Sequence, residues 1–66
     1  MNDRIKSYFD FTGEDIDGNP IEVSWGEPMT NLYAEFKAKA ILRECGGGHI
    51  DAWYAETDEF AFNVEV

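Results

Sequence analysis

The residues best suited to chemistry in this sequence are Cys45 and His49, with Glu44 and Asp51 close by. Zinc requires three or four ligands in a settled geometry, and one thiol and one imidazole around a glycine triplet are a weak basis for that. The same pair could act as a nucleophile and its base. A chain of 66 residues leaves little room for a substrate cleft as well. We therefore expect no metal, no cofactor and no catalytic residue, and the chain is predicted not to be an enzyme.

The acidic segment 15–19, DIDGN, is a second candidate because its carboxylates could hold calcium. An EF-hand loop needs Gly at its sixth position and Glu at its twelfth, where this sequence has Pro20 and Gly26. The mismatch therefore affects two of the positions that determine the geometry of calcium coordination. Asp17 and Gly18 instead suit a tight hairpin, since glycine readily adopts the positive φ that such turns require. The sequence therefore predicts an acidic turn between two strands.

The charge balance argues for a partner more strongly than any motif does. Fourteen Asp and Glu oppose five Lys and Arg, which gives a formal net charge of −9. The basic residues lie in two short patches, Arg4 with Lys6 and Lys37 with Lys39 and Arg43. Direct binding to nucleic acid or to anionic membranes is disfavoured, because phosphates repel such a surface.

Length and composition predict one compact acidic domain over residues 1–66. Apolar residues make up 44% of the chain and aromatic residues 15%, which is too much for a disordered acidic tail. Cys45 is the single cysteine, so no intrachain disulfide can form and a reducing cytoplasm is expected. No run of about 18 apolar residues is present, so the sequence predicts no membrane-spanning segment.

Hydrophobic periodicity predicts two hairpins joined by one helix. Apolar and polar residues alternate over 5–12, 21–25, 50–54 and 60–66, as in half-buried strands. Residues 31–45 contain good helix formers, with Thr30 or Asn31 as N-cap and a glycine triplet at the end. The order ββαββ predicts an α+β fold: a four-stranded, mainly antiparallel sheet with one helix packed on one face. The order of the strands within the sheet does not follow from this pattern.

The apolar residues of the helix fall into two groups at about 100° per residue. One group is expected to pack on the sheet: Ala34, Ala38, Ile41, Leu42 and Cys45. The other comprises Leu32, Tyr33, Phe36 and Ala40. We expect this second group to form core beneath the first hairpin, with a partner surface as the alternative.

Alternation also assigns the aromatic residues of the strands to faces. In the fourth strand, Phe60 falls on the same side as Phe62, Val64 and Val66. Trp25 and Trp53 are expected in the core or on a face of the sheet. If Trp53 projects with Asp51, away from the helix, it would be a suitable interface anchor.

The acids are the candidate binding residues. Asp10, Glu22, Asp51 and Glu65 are predicted on the outward face of the sheet, and acidic loops would extend the array at its edges. The full predicted set is Asp10, Glu14, Asp15, Asp17, Glu22, Glu27, Asp51, Glu56, Asp58, Glu59 and Glu65. Carboxylates on such a lattice could stand in for DNA phosphates, which proteins normally neutralise with Lys and Arg. Solubility alone is the alternative explanation for an acidic surface.

In size, charge and aromatic-rich compactness, the chain resembles small phage-encoded inhibitors of bacterial defence. These are the anti-CRISPR and antirestriction proteins that mimic DNA. The resemblance rests on acids such as Glu14, Asp15, Asp17, Asp51, Asp58 and Glu59. The resemblance implies a non-enzymatic inhibitor in the bacterial cytoplasm that blocks the DNA channel or the PAM-reading site of a CRISPR effector subunit. We expect a monomer. The alternative is an accessory or antitoxin-like interaction module that docks through the apolar helix patch.

Overall fold

Residues 5–66 are the part of the chain that the computed structural model describes, and they form four strands and one helix. In order these are β1 (Phe9–Asp15), β2 (Pro20–Ser24), α1 (Asn31–Glu44), β3 (Gly48–Tyr54) and β4 (Glu59–Glu65). This order confirms the predicted α+β, ββαββ fold. Arg4, which the sequence analysis grouped with Lys6, lies outside the described residues.

The first strand begins later than predicted, at Phe9 instead of residue 5. The preceding segment pairs with the loop between β2 and α1, where the backbones of Ser7 and Met29 exchange two hydrogen bonds of 2.9 Å. The alternation over 5–12 places Ile5 on the same side as Phe9 and Phe11, which are buried. That assignment was wrong, because Ile5 precedes the strand and its side chain is exposed.

All strand pairs are antiparallel, in the sheet order β2-β1-β3-β4. In β1, Phe11 lies opposite Val23 of β2 on one side and Ala52 of β3 on the other. Because β2 and β3 both run antiparallel to β1, they are parallel to each other, and α1 forms the crossover between them. The two hairpins thus lie side by side in one sheet, and only one layer of helix covers it.

The core lies between α1 and one face of the sheet. Phe9, Phe11, Leu42 and Ile50 are its largest fully buried side chains. Ala34 and Ala38 are fully buried as well, since small side chains let the helix approach the strands closely. The predicted packing of this helix face is therefore confirmed.

Both ends of α1 are capped by the residues that the sequence indicates. The hydroxyl of Thr30 accepts a hydrogen bond from the backbone N–H of Tyr33 at 3.1 Å. At the other end, Gly46 has a φ of 86° and the N–H of Gly47 donates to the carbonyl of Leu42 at 2.8 Å, which is a Schellman motif. This closure turns the chain directly into β3.

A β-bulge in β4 reverses the faces of its first residues. Ala52 pairs with Phe62 but Trp53 pairs with Phe60, so Ala61 is the extra residue. Phe62 and Val64 lie on the helix side, in or against the core, as predicted. The prediction for Phe60 was wrong: it lies on the opposite face and is 53% exposed, because one inserted residue inverts the alternation.

Candidate acidic interface

The face of the sheet opposite α1, called the open face here, has three rows of side chains in cross-strand register. The rows are Ser24, Asp10, Trp53, Phe60; then Glu22, Thr12, Asp51, Asn63; then Pro20, Glu14, His49, Glu65. None of these positions holds Lys or Arg. In the part of the chain that the structure describes, α1 carries Lys37, Lys39 and Arg43, and Lys6 precedes β1.

Five acids on the open face form what we call the acidic band: Asp10, Glu14, Glu22, Asp51 and Glu65. Residues two apart on a strand are separated by about 6.6–6.8 Å, and next-neighbour strands by about 9.6 Å. Glu22 and Asp51 are such next neighbours within one row, as are Glu14 and Glu65, which flank His49. The band is therefore a spaced lattice of carboxylates across all four strands.

Two hydrogen bonds join side chains of neighbouring strands on the open face, and a third goes to the backbone. The Asn63 Nδ2 donates to Asp51 Oδ1 at 2.9 Å and to the backbone carbonyl of Ile50 at 3.3 Å. The Trp53 Nε1 donates to Thr12 Oγ1 at 2.9 Å. Asp51 and Trp53 are thus held in place before any partner arrives.

One end of the open face is aromatic. Trp53 and Phe60 meet edge to face, with ring centroids 5.5 Å apart and an interplanar angle of 78°. The sequence pattern allowed Trp53 as an anchor on this face but placed Phe60 on the side of Phe62, because alternation alone does not reveal the bulge at Ala61. The aromatic pair next to Asp10 combines apolar contact area with negative charge, as protein interfaces often do.

The turn between β1 and β2 holds two further predicted acids, Asp15 and Asp17, at one end of the sheet. The Asp15 Oδ1 accepts hydrogen bonds from the backbone N–H groups of Asp17 and Asn19, each 2.9 Å long. The N–H of Asn19 is the main reason that the pKa of Asp15 lies below its ordinary value of 3.8. Gly18 has a φ of 85°, which matches the predicted hairpin turn. Asp15 thus supports its turn.

The remaining predicted acids lie at the opposite end of the sheet. Glu56 and Asp58 are exposed in the turn between β3 and β4, and Glu59 begins β4. Asp58 has a φ of 60°, a left-handed conformation that Asp tolerates better than most residues. The structure does not bring these three together with the β1–β2 turn. Since β1 and β3 are antiparallel neighbours, the turns of the two hairpins lie at opposite ends of the sheet.

Glu27 is separate from the acidic band. It lines a cleft of about 440 Å³ beside the loop between β2 and α1, together with Lys6, Trp25, Tyr33 and Lys37. The Lys37 Nζ lies 4.8 Å from the Trp25 ring centroid and 5.5 Å from that of Tyr33. Glu27 therefore has cations nearby, unlike the acids of the open face.

Cys45 and His49 do not form a catalytic or metal pair. Cys45 is the half-buried C-cap of α1, whereas His49 is on the open face, on the other side of the sheet. Among residues 5–66, no group of three or more His, Cys, Asp or Glu is arranged to hold a metal ion.

The outer side of α1 differs from the expectation that it is core. Leu32, Tyr33 and Phe36 are 69%, 50% and 60% exposed, so the core assignment of this group was wrong. The first hairpin lies in the plane of the sheet, and the inner side of the helix packs on β4, β3 and β1. Nothing in the described chain covers the outer side. The rings of Tyr33 and Phe36 stack at 6.2 Å.

A scan against protein-family models and searches of curated proteins and of solved structures return no match for this chain. In the part of the chain described by the structure, α1 is too short and too polar to cross a membrane.

Proposed function

We propose that this protein is a non-enzymatic inhibitor whose acidic band mimics the phosphates of double-stranded DNA. Its proposed target is the DNA-channel or PAM-reading site of a bacterial defence complex, with a CRISPR effector subunit as the first candidate. The supporting observation is that five carboxylates share one face of the sheet without a Lys or Arg among them. Such an inhibitor would act in the cytoplasm of the bacterial host.

The charge distribution favours recognition by a basic surface. Sites that bind DNA use Lys and Arg to neutralise phosphates, and a lattice of carboxylates presents these cations with similar charge. Electrostatic complementarity of this kind mainly accelerates encounter and sets orientation. The sheet fixes the strand backbones, so the band loses little backbone freedom on binding.

The aromatic pair gives the surface a source of affinity that does not depend on charge. Trp53 is held by its hydrogen bond to Thr12, and Phe60 is exposed beside it. Aromatic side chains that become well packed and desolvated in a contact often dominate its binding energy. We therefore propose that Trp53 and Phe60 contact the target next to the acidic band.

Binding to purified CRISPR effectors, of both the multi-subunit and the single-protein kind, tests the proposal. The double variant E22Q/E65Q removes two exposed carboxylates of the band and changes the net charge from −9 to −7. We expect it to weaken binding by about tenfold, equivalent to about 1.4 kcal/mol, and to reduce the dependence of affinity on salt. Calorimetry or biolayer interferometry across a salt series measures both effects.

The matched control is E35Q/E44Q, which makes the same change in net charge on α1. It should bind the effector like the wild type if the location of the charge matters. Equal losses of affinity in the two double variants would show that net charge alone, and not the position of the carboxylates, determines binding. Unchanged affinity of E22Q/E65Q, at any salt concentration, would sink the proposal.

The exposed group Leu32, Tyr33 and Phe36 favours a second candidate function, an accessory or antitoxin-like interaction module that docks through the helix. The same binding series separates the two. A target whose affinity falls in Phe36→Ala but not in E22Q/E65Q would support the module, and the reverse pattern would support the DNA mimic.

A further inference from the structure

We propose that the outer face of α1 is a self-association surface, on which a second copy of this chain packs with its helix antiparallel to the first. The face is defined by Leu32, Tyr33, Phe36, Lys39 and Arg43. This inference goes beyond the proposed function and does not depend on it. It also differs from the monomer expected from the sequence.

The apolar part of the face is continuous. Leu32 lines a shallow groove of about 510 Å³ with Ile5 and Phe62, and an adjacent groove of about 330 Å³ with Phe36. Ile5 is 61% exposed, similar to Leu32 and Phe36. Single exposed apolar residues are ordinary on protein surfaces, but a contiguous group of this kind marks a contact site.

The charges of this face are complementary between two copies when the two helices are antiparallel. Glu35 lies in the first half of α1, whereas Lys39 and Arg43 lie in the second half. Within one helix, Glu35 pairs with Lys39 at 3.2 Å. An antiparallel second helix places the first half of each copy against the second half of the other, so Glu35 also approaches Arg43 of the second copy. A parallel arrangement would put like charges together. A two-fold interface needs such a self-complementary patch.

The charge of the whole molecule also selects this face over the others. On α1, Lys37, Lys39 and Arg43 outnumber Glu35 and Glu44 by one, whereas the open face carries only acids and the single His49 as charged or titratable residues. Pairing through the helices leaves the two acidic bands on opposite outer surfaces, separated by on the order of 30 Å of packed layers. This exceeds the Debye length of about 8 Å at physiological salt, so repulsion between the bands is screened.

The contact is small, so the dimer should be weak. A helix of 14 residues is about 21 Å long, and its exposed side supplies less than the roughly 800 Å² per partner of a standard stable interface. We expect association that grows with protein concentration. Because apolar contact drives it and the copies share a negative charge, added salt should strengthen it, whereas salt weakens binding of the acidic band to a basic target.

Sedimentation velocity tests the inference, with protein from about 10 µM to about 1 mM and NaCl at about 50 and about 500 mM. The wild type should shift toward a dimer as both protein and salt increase. L32S/F36S should remain monomeric throughout. The matched control I16S/F60S removes two apolar side chains of similar exposure outside this face, and it should self-associate like the wild type. Circular dichroism checks that all three are folded.

A charge exchange adds a test that does not remove apolar surface. Glu35→Lys should weaken the dimer, and E35K/R43E should restore it. The pairing between positions 35 and 43 of the two copies is then re-formed with its signs reversed, while the ion pair of positions 35 and 39 within one helix stays broken. A wild type that stays monomeric at the highest protein and salt concentrations would overturn the inference and leave the face to a foreign protein. Dimers that persist in L32S/F36S, or larger assemblies that dissolve with salt, would also contradict it. None of these outcomes changes the effector-binding measurement on E22Q/E65Q, so the two proposals can fail independently.

Discussion

Asp15 differs from the acids of the open face in that its carboxylate binds the backbone of its own turn. The N–H groups of Asp17 and Asn19 both donate to it, and the side chain of Asn19 adds a longer bond of 3.3 Å. These donors stabilise the ionised form, so its pKa is lowered. Asp15 therefore contributes to the hairpin that aligns β1 with β2, and only secondarily to the negative surface.

The pH dependence of stability tests this role of Asp15. A carboxyl group with a lowered pKa in the folded state stabilises the fold fully above its ordinary value of 3.8, and this contribution is lost as the pH falls through the lower, folded pKa. We expect the difference in unfolding free energy between wild type and Asp15→Asn to be constant above that range and to shrink in acid. Urea denaturation from neutral pH to about pH 2 measures it. A difference that does not change with pH would contradict this account.

Asp51 illustrates the other kind of acid in this chain. It lies in the middle row of the open face, where Asn63 holds its Oδ1 at 2.9 Å. Glu14, Glu22 and Glu65 are exposed and have longer side chains. The band thus combines one fixed carboxylate with adjustable ones, which suits contact with flexible Lys and Arg side chains.

At the scale of elements, α1 has two apolar sides and only one sheet to cover them. The side with Ala34, Ala38 and Leu42 is fully buried, while Leu32 and Phe36 remain exposed on the other side. Alanine permits the close approach between helix and sheet, so the side with the smaller residues is the one that packs. Size, and not hydrophobicity alone, decides which side faces the strands.

A pair of leucine substitutions tests this orientation of α1. Leu42→Ala should reduce the unfolding free energy by about 2–5 kcal/mol, because it leaves a cavity in the core. That is a large part of the total unfolding free energy, which is about 0.05–0.15 kcal/mol per residue for a domain such as this one. Leu32→Ala should change it by no more than about 0.5 kcal/mol. Urea denaturation at low protein concentration measures both, and similar losses would contradict the orientation.

Much of the fold could be predicted from local pattern, because helix and strand periods are properties of neighbouring residues. Thr30 and Gly46 mark the ends of α1, and the alternation in β1 to β3 assigns Asp10, Glu22 and Asp51 to the open face. The strand order, the bulge at Ala61 and the exposure of Leu32 could not be predicted in this way. They depend on which segments meet in space, and pairing between distant strands leaves no local signal.

At the scale of the whole molecule, the sheet separates two surfaces of different character. The open face carries the acidic band and an aromatic end, and the helix side carries three of the cations and an exposed apolar face. The described chain measures 34 × 20 × 18 Å, so both surfaces are small and each can be covered by one partner. The net charge of −9 is therefore unevenly distributed, and the open face is more negative than the helix side.

This separation allows both proposed contacts to exist in one assembly. A dimer formed through α1 would present two acidic bands on its outer sides, and each could enter a basic site. The two contacts respond to salt in opposite directions, since one depends on opposite charges and the other on apolar contact between like-charged molecules. A salt series on the intact protein therefore distinguishes them without any substitution.

Competition with DNA tests the central claim most directly. The affinity of the protein for a CRISPR effector is measured by calorimetry with increasing amounts of PAM-containing duplex DNA. If the acidic band occupies the DNA-binding site, the apparent Kd rises in proportion to the DNA concentration and no ternary complex forms. An affinity that is unchanged by saturating DNA, with protein and DNA bound to the effector together, would contradict the claim that this surface mimics DNA.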